Sequence, residues 1–544
     1  MGIRRLKGNV VDLVGRRIVP GTVEWSDGRI VKIIPGKVPA GAPFIAPGLV
    51  DAHVHVESSM LPPAEFARIA VIHGTVGTVS DPHEIANVLG VPGVEYMLSE
   101  ARRTPFKFCF GAPSCVPATP WETSGATLGP KAVASLLKLP EIGYLSEFMN
   151  FPAVLKREKS AMAKIRACAA LGKPVDGHAP GLRGADAQRY ASAGISTDHE
   201  CFTLEEALDK IAAGMKILIR EGSAARNFEA LKSLLTTHPA ECMFCCDDQH
   251  PDSLLKAHID DHVRRGLATG ADRLDVLRAA SFNAVRHYRL DVGLVQAGDS
   301  ADFILFDSWE DFRVRETYLR GERVAADGRS LMPRLRTTTP NAFRARPVKA
   351  EAFRVKAREG RLSVIGAIDG QLITRALRVV PKRDGDFLVA DRDRDLLKIA
   401  VVNRYDPGRA PAVAFIRGFG LWRGALASSV AHDSHNIVAV GADDESLAAA
   451  INLVVKHRGG VSVVSGRRSK VVPLPIAGLM STSSAEVVAR DYGLADQAVR
   501  DLGSKLRSPF MTLSFMALLV IPELKLSDRG LFAGARGKKV PIVA

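Results

Sequence analysis

His53 and His55 stand two residues apart at the end of the apolar run Pro47-Gly48-Leu49-Val50-Asp51-Ala52-His53-Val54-His55. In a strand, residues i and i+2 share a face, so both imidazoles project together, with Asp51 one pleat earlier on their side. Two imidazoles on one face at the C-terminal end of a strand make half of a metal site. Groups of the same kind recur downstream: Glu147 in Ser146-Glu147-Phe148-Met149, His178 in Asp176-Gly177-His178-Ala179, His199 in Thr197-Asp198-His199-Glu200, and the pair Asp247-Asp248 after Cys246. Such a set, His53, His55, Glu147, His178, His199 and Asp247, can hold two divalent metals with a bridging carboxylate. Metals acidify water, so hydroxide becomes available near neutral pH for addition to an electrophilic carbon.

Strand geometry divides the neighbours of these groups. Adjacent residues in a strand point opposite ways, so only one of Asp247 and Asp248 continues the inward row, and Glu200 is disfavoured beside His199 unless a loop there turns it inward. Asp248, already in a loop, is expected to hydrogen-bond the substrate. His83 and Glu84, just past the second predicted strand, are candidates for proton transfer; a helix start capped near Asp81 is the competing structural reading. Arg220, Glu221 and Ser223 follow the seventh strand and are expected to recognise the polar edge of a substrate. His73, His238 and His287 read as surface or capping residues, and His250, His258 and His262 as solvent-facing or structural. His432 and His435 belong to the last domain and are expected to reach the catalytic mouth as part of a lid or a subunit contact.

These groups need a scaffold that brings distant strand ends together. Short apolar segments at 45–50, 76–80, 106–111, 144–149, 174–177, 195–198, 216–219 and 243–246 alternate with helical stretches such as Glu158 to Leu171 and Asp252 to Thr269. Eight βα units predict a TIM-like (β/α)8 barrel over 46–289, whose chemistry sits at the C-terminal strand ends. Segments 1–45 and 290–335 read as β, with Asp27-Gly28 a strong hairpin signal, and predict one small β domain built from both flanks. Residues 346–544 predict a further α/β (α+β) domain. Between them, Arg334 to Arg358 holds eight Lys or Arg and one acid, Glu351, and reads as a solvated linker.

The formal net charge is +14 over 544 residues. No aromatic interleaving suggests base stacking, and no glycine-rich phosphate loop precedes a helix, so specific nucleic-acid binding is not expected. The seven cysteines show no framework spacing, which suits a reducing compartment. The N-terminus has no apolar segment of a secretory signal. The stretch Phe510 to Ile521 is too short to span a bilayer. A cytoplasmic protein without membrane contact is expected.

The run ending in His53 and His55, the two later histidines and Asp247 resemble the amidohydrolase superfamily. A closer resemblance is to the bacterial adenine deaminases. It is carried by His53-Val54-His55-Val56-Glu57-Ser58-Ser59-Met60, Asp81-Pro82-His83-Glu84-Ile85, Asp176-Gly177-His178-Ala179-Pro180-Gly181, Ser196-Thr197-Asp198-His199-Glu200, Arg220-Glu221-Gly222-Ser223-Ala224-Ala225, Ala431-His432-Asp433-Ser434-His435-Asn436 and Pro522-Glu523-Leu524-Lys525-Leu526. The resemblance implies hydrolysis of adenine to hypoxanthine and ammonia at a dinuclear centre of Mn or Fe, or of Zn, in a homodimer. Many superfamily members bridge their metals with a carboxylated lysine. The stretch from Gly143 to Phe151 has no lysine, so Glu147 is expected to bridge. The resemblance to other deaminases makes Asp247 the ligand of the adjacent pair. Two other readings are a hydrolase of another aminopurine or a cyclic amide, and a non-catalytic scaffold. Glu147 in place of a lysine speaks against a cyclic-amide hydrolase, and the complete ligand set against a scaffold.

Overall fold

Asp27 and Gly28 both adopt positive φ, 51° and 76°, and close a two-residue hairpin between β2 (Arg17–Ser26) and β3 (Arg29–Pro35). With β1 (Arg4–Asp12), β4 (Phe44–Pro47), β13 (Phe303–Phe306), β14 (Val314–Leu319), β15 (Glu322–Ala326) and β16 (Arg329–Ser330), they form one eight-stranded sheet in the order β16-β15-β14-β13-β4-β1-β2-β3. Both flanks thus contribute to a single sheet. They join where β4 pairs in parallel with β1 and antiparallel with β13. The computed structural model describes residues 2–534 and 537–544.

The predicted first barrel strand is shifted. The apolar run from 45 divides at Gly48 into β4 of the flanking sheet and β5 (Leu49–Val54). A Cβ at Gly48 would lie 2.3 Å from Val76 Cγ1, so the crossing of the two sheets leaves no room for a side chain. The parallel strands continue through β6 (Thr75–Ser80), β7 (Lys107–Ala112), β8 (Ile142–Phe148), β9 (Val175–Gly177), β10 (Thr197–Asp198), β11 (Lys216–Arg220) and β12 (Cys242–Cys245). Sheets β5–β9 and β10–β12 meet where Ser196 N donates to Val175 O at 2.8 Å. At the other seam Asp247 N donates to His53 O, and His55 N to Asp247 O, at 2.8 and 3.2 Å. This arrangement fits a TIM-like barrel. Every residue of β5, β6 and β12 is buried, as expected for strands covered on both faces.

The single helix expected over Asp252 to Thr269 is two, Pro251–Leu254 and Ile259–Ala268. Between them His258 turns inward, with Nδ1 2.7 Å from Thr75 Oγ1 and Nε2 3.0 Å from Asp51 Oδ2. Asp51 Oδ1 also accepts from Cys246 N at 3.1 Å, so this buried cluster ties β5 to the chain after β12. The solvent-facing reading of His258 and His262 is therefore corrected. His73 is buried as well, bonded to Leu254 O at 2.9 Å.

Beyond 346 a second eight-stranded sheet, of mixed direction, carries the helix Asp444–His457. The basic segment before it is not a free linker. Phe343 and Phe353 are buried in this domain's core, and buried Arg404 bonds Asn341 and the Ala342 carbonyl. The last domain docks on the barrel through Ser481 N to Met60 O at 2.8 Å, Ala485 N to Glu65 Oε1 at 2.9 Å, and Thr123 Oγ1 to Asp528 Oδ2 at 2.7 Å. No helix among the described residues is long and apolar enough to cross a membrane.

Candidate metal centre

The mouth of the barrel gathers the strand ends. β5 presents His53, and His55 follows one residue past its end. β8 presents Glu147, β9 is followed by His178, β10 by His199, and β12 by Asp247 and Asp248. All seven residues are at least nine-tenths buried.

Glu147 stands at the centre. Its Oε1 lies 3.2 Å from His55 Nε2 and 4.0 Å from His53 Nε2. Its Oε2 lies 2.6 Å from His178 Nδ1 and 3.3 Å from His199 Nε2. Asp247 Oδ1 faces the first pair, 3.1 Å from His55 Nε2 and 3.5 Å from His53 Nε2. One carboxylate thus offers each oxygen to a different pair of imidazoles, the layout of a bridge between two cations.

Burial alone would raise the Glu147 carboxyl, but His178, His199 and His55 outweigh it and hold it well below the usual range. Burial also opposes charge on Asp247, where Arg220 and the imidazoles of His53 and His55 prevail and keep it ionised. His53 goes the other way. Burial, with His199 beside it, lowers its imidazole towards the neutral form that ligates metal. Among the described residues neither ring nitrogen of His53 has a hydrogen-bond partner, and His178 Nε2 has none. Buried nitrogens without partners are costly unless something coordinates them. The donor set therefore fits a pair of divalent ions.

Asp248 also reaches the cleft, and Ser58 Oγ donates to its Oδ1. Asp247 adopts φ 56°, which breaks the strand alternation, so two adjacent carboxylates face one cleft. The same failure applies at His199-Glu200. β10 is only two residues long, and the pleat argument against Glu200 does not hold beyond it. Glu200 Oε1 lies 3.5 Å from His199 Nε2 and 3.6 Å from His178 Nδ1. His83 Nδ1 lies 3.0 Å from Asp81 Oδ2 and 3.5 Å from Glu147 Oε1. It opens the helix His83–Leu89, and Asp81 Oδ1 accepts from His83 N, so helix start and cleft contact coexist there.

Residues 44–324 match the amidohydrolase family, and residues 371–538 match the adenine deaminase C-terminal domain. An adenine deaminase of Salinibacter ruber is 57% identical over 532 residues, covering 97% of each chain. The chain belongs to the adenine deaminase family. Family members of Methanosarcina mazei and Borreliella burgdorferi are 48% and 43% identical, covering 97% and 98% of this chain and 98% of each relative.

For a member of this family, the surroundings of the centre matter as much as its ligands. Three residues expected at the substrate edge lie elsewhere. Arg220 is fully buried behind the centre, with Nη1 2.5 Å from Glu200 Oε1 and 2.6 Å from Asp247 Oδ2. Glu221 pairs with Arg265 at 2.5 Å, and Ser223 Oγ accepts from His250 N at 2.8 Å. None of the three lines the cleft, so their assignment to substrate recognition is corrected. β11 carries Arg220 inward, and the chain then turns away from the mouth.

The cleft walls come from the last domain: Leu372, His432, Asp433, Phe515 and Leu518. Sequence reasoning placed His432 and His435 near the mouth but missed the apolar members. Nothing in their spacing marks them, because the apolar stretch around Phe515 reads as ordinary core. His432 Nδ1 lies 2.5 Å from Glu84 Oε1, and His435 Nε2 contacts Glu84 Oε2. The second domain is thereby tied to the barrel one residue from His83.

Proposed function

We propose that this chain hydrolyses adenine to hypoxanthine and ammonia. The observation that carries the reading is Glu147, whose two oxygens face separate imidazole pairs beneath a cleft walled by Leu372, Phe515 and Leu518. His53, His55 and Asp247 would hold one divalent ion, His178 and His199 the other, and Glu147 both. Bound there, the ions acidify water so that hydroxide is available at neutral pH to add to the amino-bearing carbon. The protein's own groups do the rest. The buried walls exclude bulk water, and the apolar faces of Leu372, Phe515 and Leu518 suit a flat purine. Asp248, at the cleft and next to the ligand Asp247, is assigned the polar contact with the ring. His83 and Glu84 are assigned proton transfer at the edge facing the last domain.

Imidazole and carboxylate donors without a thiolate suit Mn or Fe, with Zn a further option. Seven free cysteines suit a cytoplasmic setting, and the assembly is taken as a homodimer. Sedimentation of the purified chain tests the assembly. The function is tested by ammonia release from adenine, guanine, cytosine and cyclic amides, using metal-loaded and chelator-stripped protein. Adenine should be turned over fastest, and only with metal. Release from a cyclic amide alone would replace the reading.

A further inference from the structure

Addition of hydroxide to the amino-bearing carbon pushes an electron pair onto the neighbouring ring nitrogen, which must then take a proton. The ligand set is a poor source, because its acids are ionised and its imidazole nitrogens face the metals. Two imidazoles at the cleft are outside that set, His83, whose Nδ1 faces Asp81 and Glu147, and His432. His432 enters from the last domain, 98% buried, and its Nε2 has no hydrogen-bond partner among the described residues. That atom lies 3.9 Å from Asp248 Oδ1.

The rest of the ring is fixed. Nδ1 lies 2.5 Å from Glu84 Oε1, and the Phe515 ring stacks on the imidazole at 5.2 Å and 29°. Glu84 is itself pinned by His435 Nε2. The Ala431 N–H donates to His435 Nδ1 at 3.2 Å, so His435 carries its proton on Nε2 and gives it to Glu84. Glu84 is therefore an oriented, ionised acceptor for His432 Nδ1–H, and His432 turns its Nε2 to the cleft, where it carries a proton in the imidazolium form. A buried carboxylate orienting an imidazole whose far nitrogen faces the substrate is a recurrent arrangement for proton transfer.

We infer that His432 is a catalytic acid of the deamination, donating its Nε2 proton to the purine ring nitrogen beside the amino-bearing carbon. The inference rests on the deaminase reading above. Hydroxide forms the new C–O bond, and the C=N electron pair moves to nitrogen and takes the proton from His432. The hydroxyl proton then passes to the amino group, the C–N bond breaks, and ammonia leaves as the carbonyl forms. The proton released when water became hydroxide restores His432, so the sum is adenine plus water giving hypoxanthine plus ammonia. The groups facing His432 are Glu84, Asp248, Asp433, His435 and His250. Burial disfavours its charge, but the carboxylates of Glu84 and Asp248 on either side of the ring outweigh burial and raise it to about 9.

The test is His432→Gln in the metal-loaded enzyme, with adenine and 6-chloropurine as substrates. Chloride leaves without a proton, but the ring nitrogen must be protonated in both reactions. Turnover of both should fall alike, by about 100-fold or more. Metal content and equilibrium binding of unreactive 6-methylpurine should stay within a few-fold of wild type. A fall with adenine alone would move the proton to the leaving amine and overturn the assignment. Unchanged turnover would overturn it too, as would a matching loss of metal or of 6-methylpurine binding. If that variant does not fold, Glu84→Gln carries the same comparison, since an amide cannot support the imidazolium. Wild-type enzyme that releases no ammonia from adenine would instead sink the deaminase reading and leave His432 without this role.

Discussion

Glu147 has no substitute within the cleft. Its two oxygens face different imidazole pairs, and among the described residues the only other carboxylate so close to His178 and His199, Glu200, is held by Arg220. Glu147→Ala should therefore lose metal and turnover by more than the roughly 10–100-fold typical of outer-shell changes. Two full metal equivalents by elemental analysis would contradict the bridge. Asp247→Asn should lower metal content, whereas Asp248→Asn should keep metal and impair turnover or substrate affinity. The reverse pattern would exchange their roles. Arg220 gives a third case. Removing it leaves Glu200 and Asp247 buried without their cation, which costs on the order of 3–5 kcal/mol. Arg220→Met should weaken metal binding, as titration of stripped protein would read, with no direct effect on a purine that it does not touch. At this scale the sequence put the candidate ligands on one face wherever alternation holds, as at His53 and His55. It failed at Glu200 and at the Asp247-Asp248 pair, where a two-residue strand and a positive φ at Asp247 end the alternation.

The hairpin Leu524–Ser527 with Gly530–Ala533 shows how an element far from the ligands shapes the cleft. Its Lys525 is fully buried, without a carboxylate partner among the described residues, and Nζ donates to Leu372 O and Phe515 O at 2.5 and 2.9 Å. Both carbonyls belong to residues that wall the cleft, so the hairpin holds that wall in place. Burial pushes the ammonium down to about 7. Because the folded value lies below the unfolded one, the unfolded chain binds the extra proton between pH 7 and about 10.5. Stability therefore rises with pH across that window, recovering a cost on the order of 5 kcal/mol that is complete below pH 7. The melting temperature of wild type should climb relative to that of Lys525→Met from pH 7 to 10, whatever their offset at neutral pH. Parallel curves would show that Lys525 is not charged at the lower pH. Strand periodicity gave the barrel elements, since continuous apolar runs between helices are a local signal. The split at Gly48, the helix break at His258 and this hairpin are not local. Each is decided by what another segment places opposite, Val76, Asp51 and the two carbonyls respectively.

Over the whole molecule, the basic excess and the chemistry occupy different places. The centre is a buried cleft between barrel and last domain, with carboxylates and imidazoles in near balance. Arg423, Arg467, Arg468 and Lys470 instead line a concavity with Asp501 on the last domain, and Arg468–Pro473 is the edge strand of its sheet. None of these four cations has a carboxylate partner within 4 Å among the described residues. Charged edges discourage strand pairing between copies, which gives this surface a role without any ligand. A neutral base entering the cleft gains little from distant charge, because exposed charges are screened over roughly 10 Å at 0.1 M salt. Turnover of adenine should therefore change little between low and moderate ionic strength. Nucleic acid should bind only through phosphate contacts on the basic surface, and such binding fades steeply with salt as released counterions lose their advantage. No lysine or arginine among the described residues lines the narrow cleft, and Arg220, behind the centre, is already shared between Glu200 and Asp247. Free adenine should accordingly be preferred over adenosine, and both over AMP or a short oligonucleotide. Comparing kcat/KM for the four at two salt concentrations measures this directly. Efficient deamination of AMP, lost at high salt and lost again in an Arg467→Glu, Arg468→Glu variant, would bring the basic concavity into the catalytic path and displace the free base as substrate.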